Sequence, residues 1–308
     1  MLEGIETGHL TPYRFPGSGC NMAGSAAPLY TIHQYDQGIY KVVVFKGNRD
    51  PDRVYVRDRE EERHNDTKLD NNFSRARSMV LQYALCNPWD YFFTGTLDKE
   101  KFDRHDLDTY QEKLSQFIRD KRKVYQSKFQ VLLVPEHHKD GAWHIHGLVY
   151  GLPEEALSEF APPAPRKLIK GGFFNWPDYM RKFGFCSLGR IRDPVATAFY
   201  ISKYVSKDLA RRGGDLGKHL YFHSRPLKRA EKVSDVYLYN PGLEECCTHE
   251  YDFCKVGMVS GAHWTFPYQW NGAEAVSEQF LEVPVPLDPL KDFKPWTIDP
   301  FYEQVRLF

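Results

Sequence analysis

The chain has 308 residues, 42% of them hydrophobic and 15% aromatic, enough to bury the core of one or two domains and too apolar for a disordered chain. Its 41 basic and 41 acidic side chains cancel, so no whole-molecule field draws it to nucleic acid or to a membrane, and any polyanion contact must come from local clustering. No apolar run reaches the ~18 residues of a membrane span, the start lacks a charged-then-apolar leader, and six cysteines without regular spacing fit a reduced interior; the expected location is cytoplasmic.

Residues 1–30 are rich in Gly, Pro and Ser and read as a poorly ordered arm. Ile39 to Phe45 reads as a short strand, and Arg49 to Arg63, dense in both charge signs, as a solvated surface segment. Phe73 to Leu85 has helical spacing and carries Arg75 and Arg77. YFFTGTLD, from Tyr91 to Asp98, is aromatic and Thr-rich, a buried strand. Asp106 to Gln126 follows as a long helix with Leu107, Tyr110, Leu114, Phe117 and Ile118 on one apolar stripe. Its end is basic, with Arg119, Lys121, Arg122 and Lys123. Phe129 to Glu136 is the next strand, HHKDG a turn with Asp-Gly, and Trp143 to Gly151 a strand again. Pro153 to Phe160 reads as a short helix, APPAPRKLIKGG as a loop, and Phe183 to Ile191 as a strand. Pro194 to about Arg212 reads as a helix, with Pro in its first turn and Gly213-Gly214 past its end. The tail after about Val283 is rich in Pro and aromatics and weakly patterned, and no internal repeat is visible. This order describes an α+β fold with a ferredoxin-like split βαβ arrangement, an antiparallel sheet with helices packed mainly on one face.

Chemistry concentrates first in WHIHGLVYG. His144 and His146 lie two apart on a strand and so project to one face, where two imidazoles converge on one cation. A hairpin through residues 137–142 puts Glu136 roughly opposite, completing a mixed nitrogen/oxygen site with open positions. The ligand types suit Mn²⁺ or Zn²⁺, and Mg²⁺ where substrate oxygens help. His137 or His138 could supply the third ligand instead, and the alternative to a metal is that both histidines simply pack in a sheet.

The second concentration is AFYISKYVSKDLARR. Tyr200 and Tyr204 are one helical turn apart, and Lys203 and Lys207 share that spacing. Val195, Ala198, Phe199, Ile201, Val205 and Leu209 make an apolar side without the tyrosines, so the tyrosines are expected to share the opposite face with the two lysines rather than form a core stripe. A phenol with a pKa near 10 is a weak nucleophile; neighbouring ammonium groups favour the phenolate, and a metal-polarised phosphate eases attack on a phosphodiester.

With these residues in place, the chain resembles the HUH endonucleases, named for His-hydrophobic-His, and more narrowly the rolling-circle replication initiators of bacteriophages and plasmids. FFTGTLD (Phe92 to Asp98) is similar to their first motif, HIH (His144 to His146) to the second, and YISKYVSK (Tyr200 to Lys207) to the third in its two-tyrosine form. The resemblance implies a five-stranded sheet, Mg²⁺ or Mn²⁺ held by His144, His146 and Glu136, and Tyr200 and Tyr204 as nucleophiles aided by Lys203 and Lys207. It implies site-specific nicking and rejoining of single-stranded DNA at a replication origin through a 5′-phosphotyrosine, with host helicase and polymerase as further partners in a bacterial host cytoplasm. On this view residues 73–229 form the endonuclease domain, flanked by accessory segments 1–72 and 230–308, with no Walker A motif for a fused helicase.

A transposase or mobilisation relaxase would use the same chemistry, though single-tyrosine transposases usually lack a tandem Y-x-x-K; a non-catalytic nucleic-acid-binding module is the reading from another class. From Lys203 to Arg229 the basic residues Lys203, Lys207, Arg211, Arg212, Lys218, Arg225, Lys228 and Arg229 outnumber Asp208 and Asp215. That excess is the expected phosphate-contacting surface, with Arg211, Arg212 and Lys218 at its centre. Thr94 and Thr96 alternate on the first motif's strand and either face the site or are structural. Cys246, Cys247, His249 and Cys254 cluster, but at no common zinc spacing.

Overall fold

The structure, a computed structural model, describes residues 29–46, 65–138, 140–205, 220–237, 244–251, 254–260 and 285–300. In chain order the elements are β1 (Leu29–Tyr35), β2 (Ile39–Phe45), α1 (Asn65–Leu85), β3 (Tyr91–Thr96), α2 (Leu107–Val124), β4 (Gln130–His137) and β5 (Trp143–Tyr150). There follow β6 (Ser158–Glu159), α3 (Arg166–Lys170), β7 (Phe174–Asn175), α4 (Pro177–Lys182), β8 (Cys186–Arg190) and α5 (Pro194–Lys203). The last are β9 (Phe222–His223), β10 (Glu231–Tyr237), β11 (His249–Glu250), β12 (Cys254–Ser260) and β13 (Val285–Pro286).

The fold is mixed α+β. The sheet that matters for function runs β6-β7-β8-β3-β5-β4-β9, antiparallel at every pairing. Five neighbours, β7-β8-β3-β5-β4, supply the expected five-stranded antiparallel sheet, and the two-residue strands β6 and β9 extend its edges. Strand β5 lies between β3 and β4, which α2 connects. Helix α2 starts where the Asp106 carboxylate accepts from the Thr109 backbone N–H at 3.0 Å and the Thr109 hydroxyl at 2.6 Å. Its stripe of Tyr110, Leu114, Phe117 and Ile118 is buried, while Lys121, Arg122 and Lys123 end it where cations favour the helix dipole.

Helices cover both faces of this sheet, which corrects the expectation of one. Phe93, Val131, Leu133, Ile145 and Val149 pack with Phe117 of α2 and Tyr179 of α4. Phe92, Leu132, Val134 and Leu148 pack with Val80 and Tyr83 of α1 and with Tyr200, Ile201 and Tyr204 of α5. The reason is in the strands: Phe92-Phe93, Leu132-Leu133-Val134 and Leu148-Val149 are runs of consecutive apolar residues, which require burial on both sides. Other boundaries shift as well. The segment read as a helix from Pro153 is a 3₁₀ turn (Glu154–Ala156) followed by β6, and the Pro-rich loop after it contains α3. Helix α1 starts at Asn65, ahead of the apolar spacing, and α5 ends at Lys203 with Tyr204 as its cap.

The two flanks of the chain join. Strands β1 and β2 from one end and β10, β11, β12 and β13 from the other form a second sheet, ordered β10-β1-β2-β12-β11 with β13 also on β12. Tyr30, Ile32, Tyr40, Val42, Val44 and Val259 make its core. From β13 the chain crosses to the first sheet, where Leu287, Leu290 and Phe293 pack on the α1/α5 side and Ile298 is buried. Among the described residues, no helix is long and apolar enough to cross a membrane.

Strands β4 and β5 approach so closely that a Cβ on Gly147 would meet Leu133 Cδ2 at 2.3 Å and the Leu132 carbonyl at 2.7 Å. Gly147→Ala should therefore cost about 1–3 kcal/mol, the usual range for overpacking, read as a lowered urea midpoint at unchanged m-value.

Candidate active site

Register assembles the site. Glu136 of β4 lies opposite His144 of β5, and Thr96 of β3 lies opposite the same histidine. One pair further in, Val134 and Thr94 flank His146, and Ser187 of β8 flanks Thr94. Directly paired residues share a face, so Glu136, His144, His146, Thr94, Thr96 and Ser187 all lie on the face that α1 and α5 cover. The hairpin that sets this register closes where the Gly141 N–H donates to the His138 carbonyl at 2.9 Å, with Gly141 at φ +85°.

On that face the Glu136 Oε2 to His146 Nε2 distance is 2.8 Å, and Thr94 Oγ1 lies 3.3 Å from His146 Nδ1. Burial pushes the Glu136 carboxyl up, but the hydrogen bond and charge of His146, with His144 and His138, outweigh it and hold the carboxyl below its usual range. His144 stacks on His138 with ring centroids 4.8 Å apart. Burial, then the neighbouring His146 and His138, lower the His144 imidazole to about 4, so it is neutral at physiological pH with a lone pair to offer.

Helix α5 brings the tyrosines. The Asp193 carboxylate caps its start by accepting from the Ala196 N–H at 2.9 Å, and Pro194 sits in its first turn. The Tyr200 and Tyr204 hydroxyls are 2.9 Å apart. The Tyr204 ring stacks on His146 with centroids 3.8 Å apart and planes 19° from parallel. Tyr200 is 1% exposed and Tyr204 3%. The tyrosines therefore do not lie on a cationic outer face, as the helical spacing predicts. Helix α5 is packed between α1 and the sheet, so both of its long sides are buried and the tyrosines belong to the core side. Lys203 is half-buried; burial, then the Arg77 guanidinium of α1, lower its ammonium pKa. Lys207, Arg211, Arg212 and Lys218 lie outside the described residues.

One residue at the centre of the cluster carries no sequence signal. Asp299, 0% exposed, accepts on Oδ2 from the Tyr200 hydroxyl at 3.0 Å and the Tyr204 hydroxyl at 2.6 Å. Its Oδ1 accepts from Thr94 at 3.4 Å, and Oδ2 is 3.8 Å from His146 Nδ1. Burial and then this carboxylate raise both phenols well above their usual range. Asp299 sits in a Pro-rich tail without periodicity, and only the tertiary fold takes it to the tyrosines.

The tail of α2 forms part of a second basic surface. Arg122 and Lys123 join Lys128 and Arg225 around a concave region beside the start of β4. Arg122 is committed there to the Phe129 carbonyl and Ser224, and Lys121 to Asp178. Among the described residues no group of three or more His, Cys, Asp or Glu is arranged to hold a metal ion. Cys246, Cys247 and Cys254 are free thiols.

Residues 90–209 match one family model, which puts the chain in the class of Rep-type replication-initiator proteins. The family is that of the replication-associated protein ORF2, and the matched span, from β3 through α5, belongs to it. No curated protein and no solved structure matches the chain.

The neutral His144 has a thermodynamic consequence. Its folded pKa is below the ordinary 6.5, so the unfolded chain binds more protons between about pH 4 and 6.5 and stability falls as pH falls through that window. His144→Gln should remove on the order of 1–2 kcal/mol of the stability difference between pH 7 and pH 5, measured by urea denaturation in EDTA; an unchanged difference would contradict the assignment.

Proposed function

We propose that the chain is a rolling-circle replication initiator that nicks and rejoins single-stranded DNA through Tyr200 and Tyr204. The observation that carries this is the packing of both hydroxyls, 2.9 Å apart, against the His146 ring within the span that matches the replication family. The order β8-β3-β5-β4 with α2 joining β3 to β4 supports the ferredoxin-like reading of that span.

The reaction exchanges one phosphodiester for another. A tyrosine oxygen bonds to phosphorus, the P–O3′ bond breaks, and the phenolic proton is released as the departing 3′ oxygen gains one. The products are a 5′-phosphotyrosine and a free 3′ hydroxyl; the bond energy is conserved, so a 3′ hydroxyl reverses the step without ATP. With the second hydroxyl adjacent, a second strand transfer proceeds in the same site.

Glu136, His144 and His146 suit Mg²⁺ or Mn²⁺ by donor chemistry. His144 is neutral, and the 2.8 Å contact between Glu136 and His146 is of the kind that ligation of both groups would replace. A bound divalent ion would polarise the scissile phosphate and offset its charge. Thr94 and the Phe92 ring orient His146 from the strand side. Lys203, with Lys207, would balance charge near the phenolate, and the basic stretch holding Arg211, Arg212 and Lys218 would grip the DNA backbone at the origin. Host helicase and polymerase would then use the freed 3′ end in the cytoplasm.

Tyr200→Phe/Tyr204→Phe is expected to lose nicking of a single-stranded substrate by at least ~10³-fold while binding changes little, read on denaturing gels beside a mobility-shift titration. Retained cleavage would remove the nucleophile assignment. His144→Ala, or EDTA with the unaltered protein, is expected to slow the same reaction by about 10²-fold; full activity in either case would count against the metal.

A further inference from the structure

Two buried hydroxyls cannot reach a phosphorus atom, and what buries them is this chain's own tail. We propose that residues 287–300 form a strap that covers the tyrosine pair in the DNA-free protein, with Asp299 in the place of the scissile phosphate, and that single-stranded DNA must displace it. This rests on the nucleophile reading of Tyr200 and Tyr204.

Asp299 presents one anionic oxygen to both tyrosine hydroxyls and the other to Thr94, a partner set that a phosphoryl oxygen would also take. A carboxylate and a phosphodiester repel each other in so small a buried space, so the two occupy it in turn. Beneath the strap the Ser187 hydroxyl, on the same face and paired in register with Thr94, is buried without a hydrogen-bond partner. The covered surface thus keeps a polar group that the strap does not satisfy, which is expected of a face built for another polar ligand.

The strap is also held in a way that allows release. It leaves β13, which pairs with β12 through only Val285 and Pro286, and the Leu287 N–H donates to the Met258 carbonyl at 3.0 Å. Phe293 lies on Tyr200 with ring centroids 5.6 Å apart, while Lys291, Asp292 and Lys294 face solvent. Its closest seat is Gly189 of β8, where a Cβ would meet the Ile298 carbonyl oxygen at 2.4 Å and Cα at 2.7 Å. Those are backbone atoms, so any side chain there must push the strap away. The strap lies wholly outside the span that matches the replication family.

Gly189→Ala therefore tests the strap without touching the tyrosines or Asp299, and Phe293→Ala, at a half-buried position, is the second route if the first does not fold. Two readouts are compared with the unaltered protein: nitration of Tyr200 and Tyr204 by tetranitromethane without DNA, mapped by mass spectrometry, and initial nicking rate on a single-stranded library with Mn²⁺. The strap predicts nitration at least about fivefold faster in the variants, since local opening then limits access less, together with faster nicking. Unchanged nitration in a folded variant would overturn the strap, and so would faster nitration with slower nicking, which would make the tail part of the working site. Faster nitration with no nicking by any protein, the unaltered one included, would leave the cover in place and remove the nucleophile reading instead.

Discussion

Strand pairing is what gathers the chemical groups of this protein, because its site-face residues come from separate strands and have no other means of meeting. Glu136, His144 and Thr96 are joined across β4, β5 and β3, and His146, Thr94 and Ser187 across β5, β3 and β8. A slip of one residue in β5 would turn both histidines to the α2 face and put Ile145 where His146 lies. Such a slip is opposed from both sides of the sheet. Phe92, Leu132 and Leu148 are committed to one core and Phe93, Leu133 and Val149 to the other, so a shift in register would exchange the two sets at once. Burial on both faces thus fixes the histidines more firmly than a one-sided sheet would.

The same burial raises the electrostatic stakes at the polar end of the sheet. His146, Thr94, Asp299 and both tyrosines are at most 3% exposed, in surroundings where an unpaired charge is costly. Each charge there has partners: Glu136 meets His146, and Asp299 meets both phenols and Thr94. The arrangement holds the phenolic protons in place, since burial and the Asp299 carboxylate both raise the two tyrosines. A nucleophile held in this state is protected from side reactions, and its activation must involve a change in its surroundings. The second sheet contributes by anchoring β13, from which the tail reaches the site.

Much of this is legible in the sequence. The strand pattern of YFFTGTLD, the apolar stripe of α2 and the H-x-H run each carry a strong local signal, and the observed elements follow them closely. Asp-Gly in the turn places Glu136 opposite the histidine strand, as the register shows. The tyrosine face is misread because helical periodicity separates apolar from polar sides only when one side meets water, and α5 is covered by α1 as well as by the sheet. The joined flanks are invisible for a different reason. Pairing of β1 with β10 and of β2 with β12 links opposite ends of the chain, and no local pattern encodes such a contact. Asp299 escapes notice on the same ground, since a lone Asp before Pro in an irregular tail is indistinguishable from a loop residue until the tail is seen to cross the sheet.

The central claim is that a tyrosine of α5 becomes covalently joined to DNA, and peptide mapping tests it most directly. The unaltered protein would be incubated with a labelled single-stranded library and Mn²⁺, digested with protease and nuclease, and searched by mass spectrometry for peptides carrying a nucleotide. The account predicts a nucleotide attached through its 5′ phosphate to Tyr200 or Tyr204. A nucleotide attached to any other residue, or DNA cleaved with no protein-linked product, would contradict it.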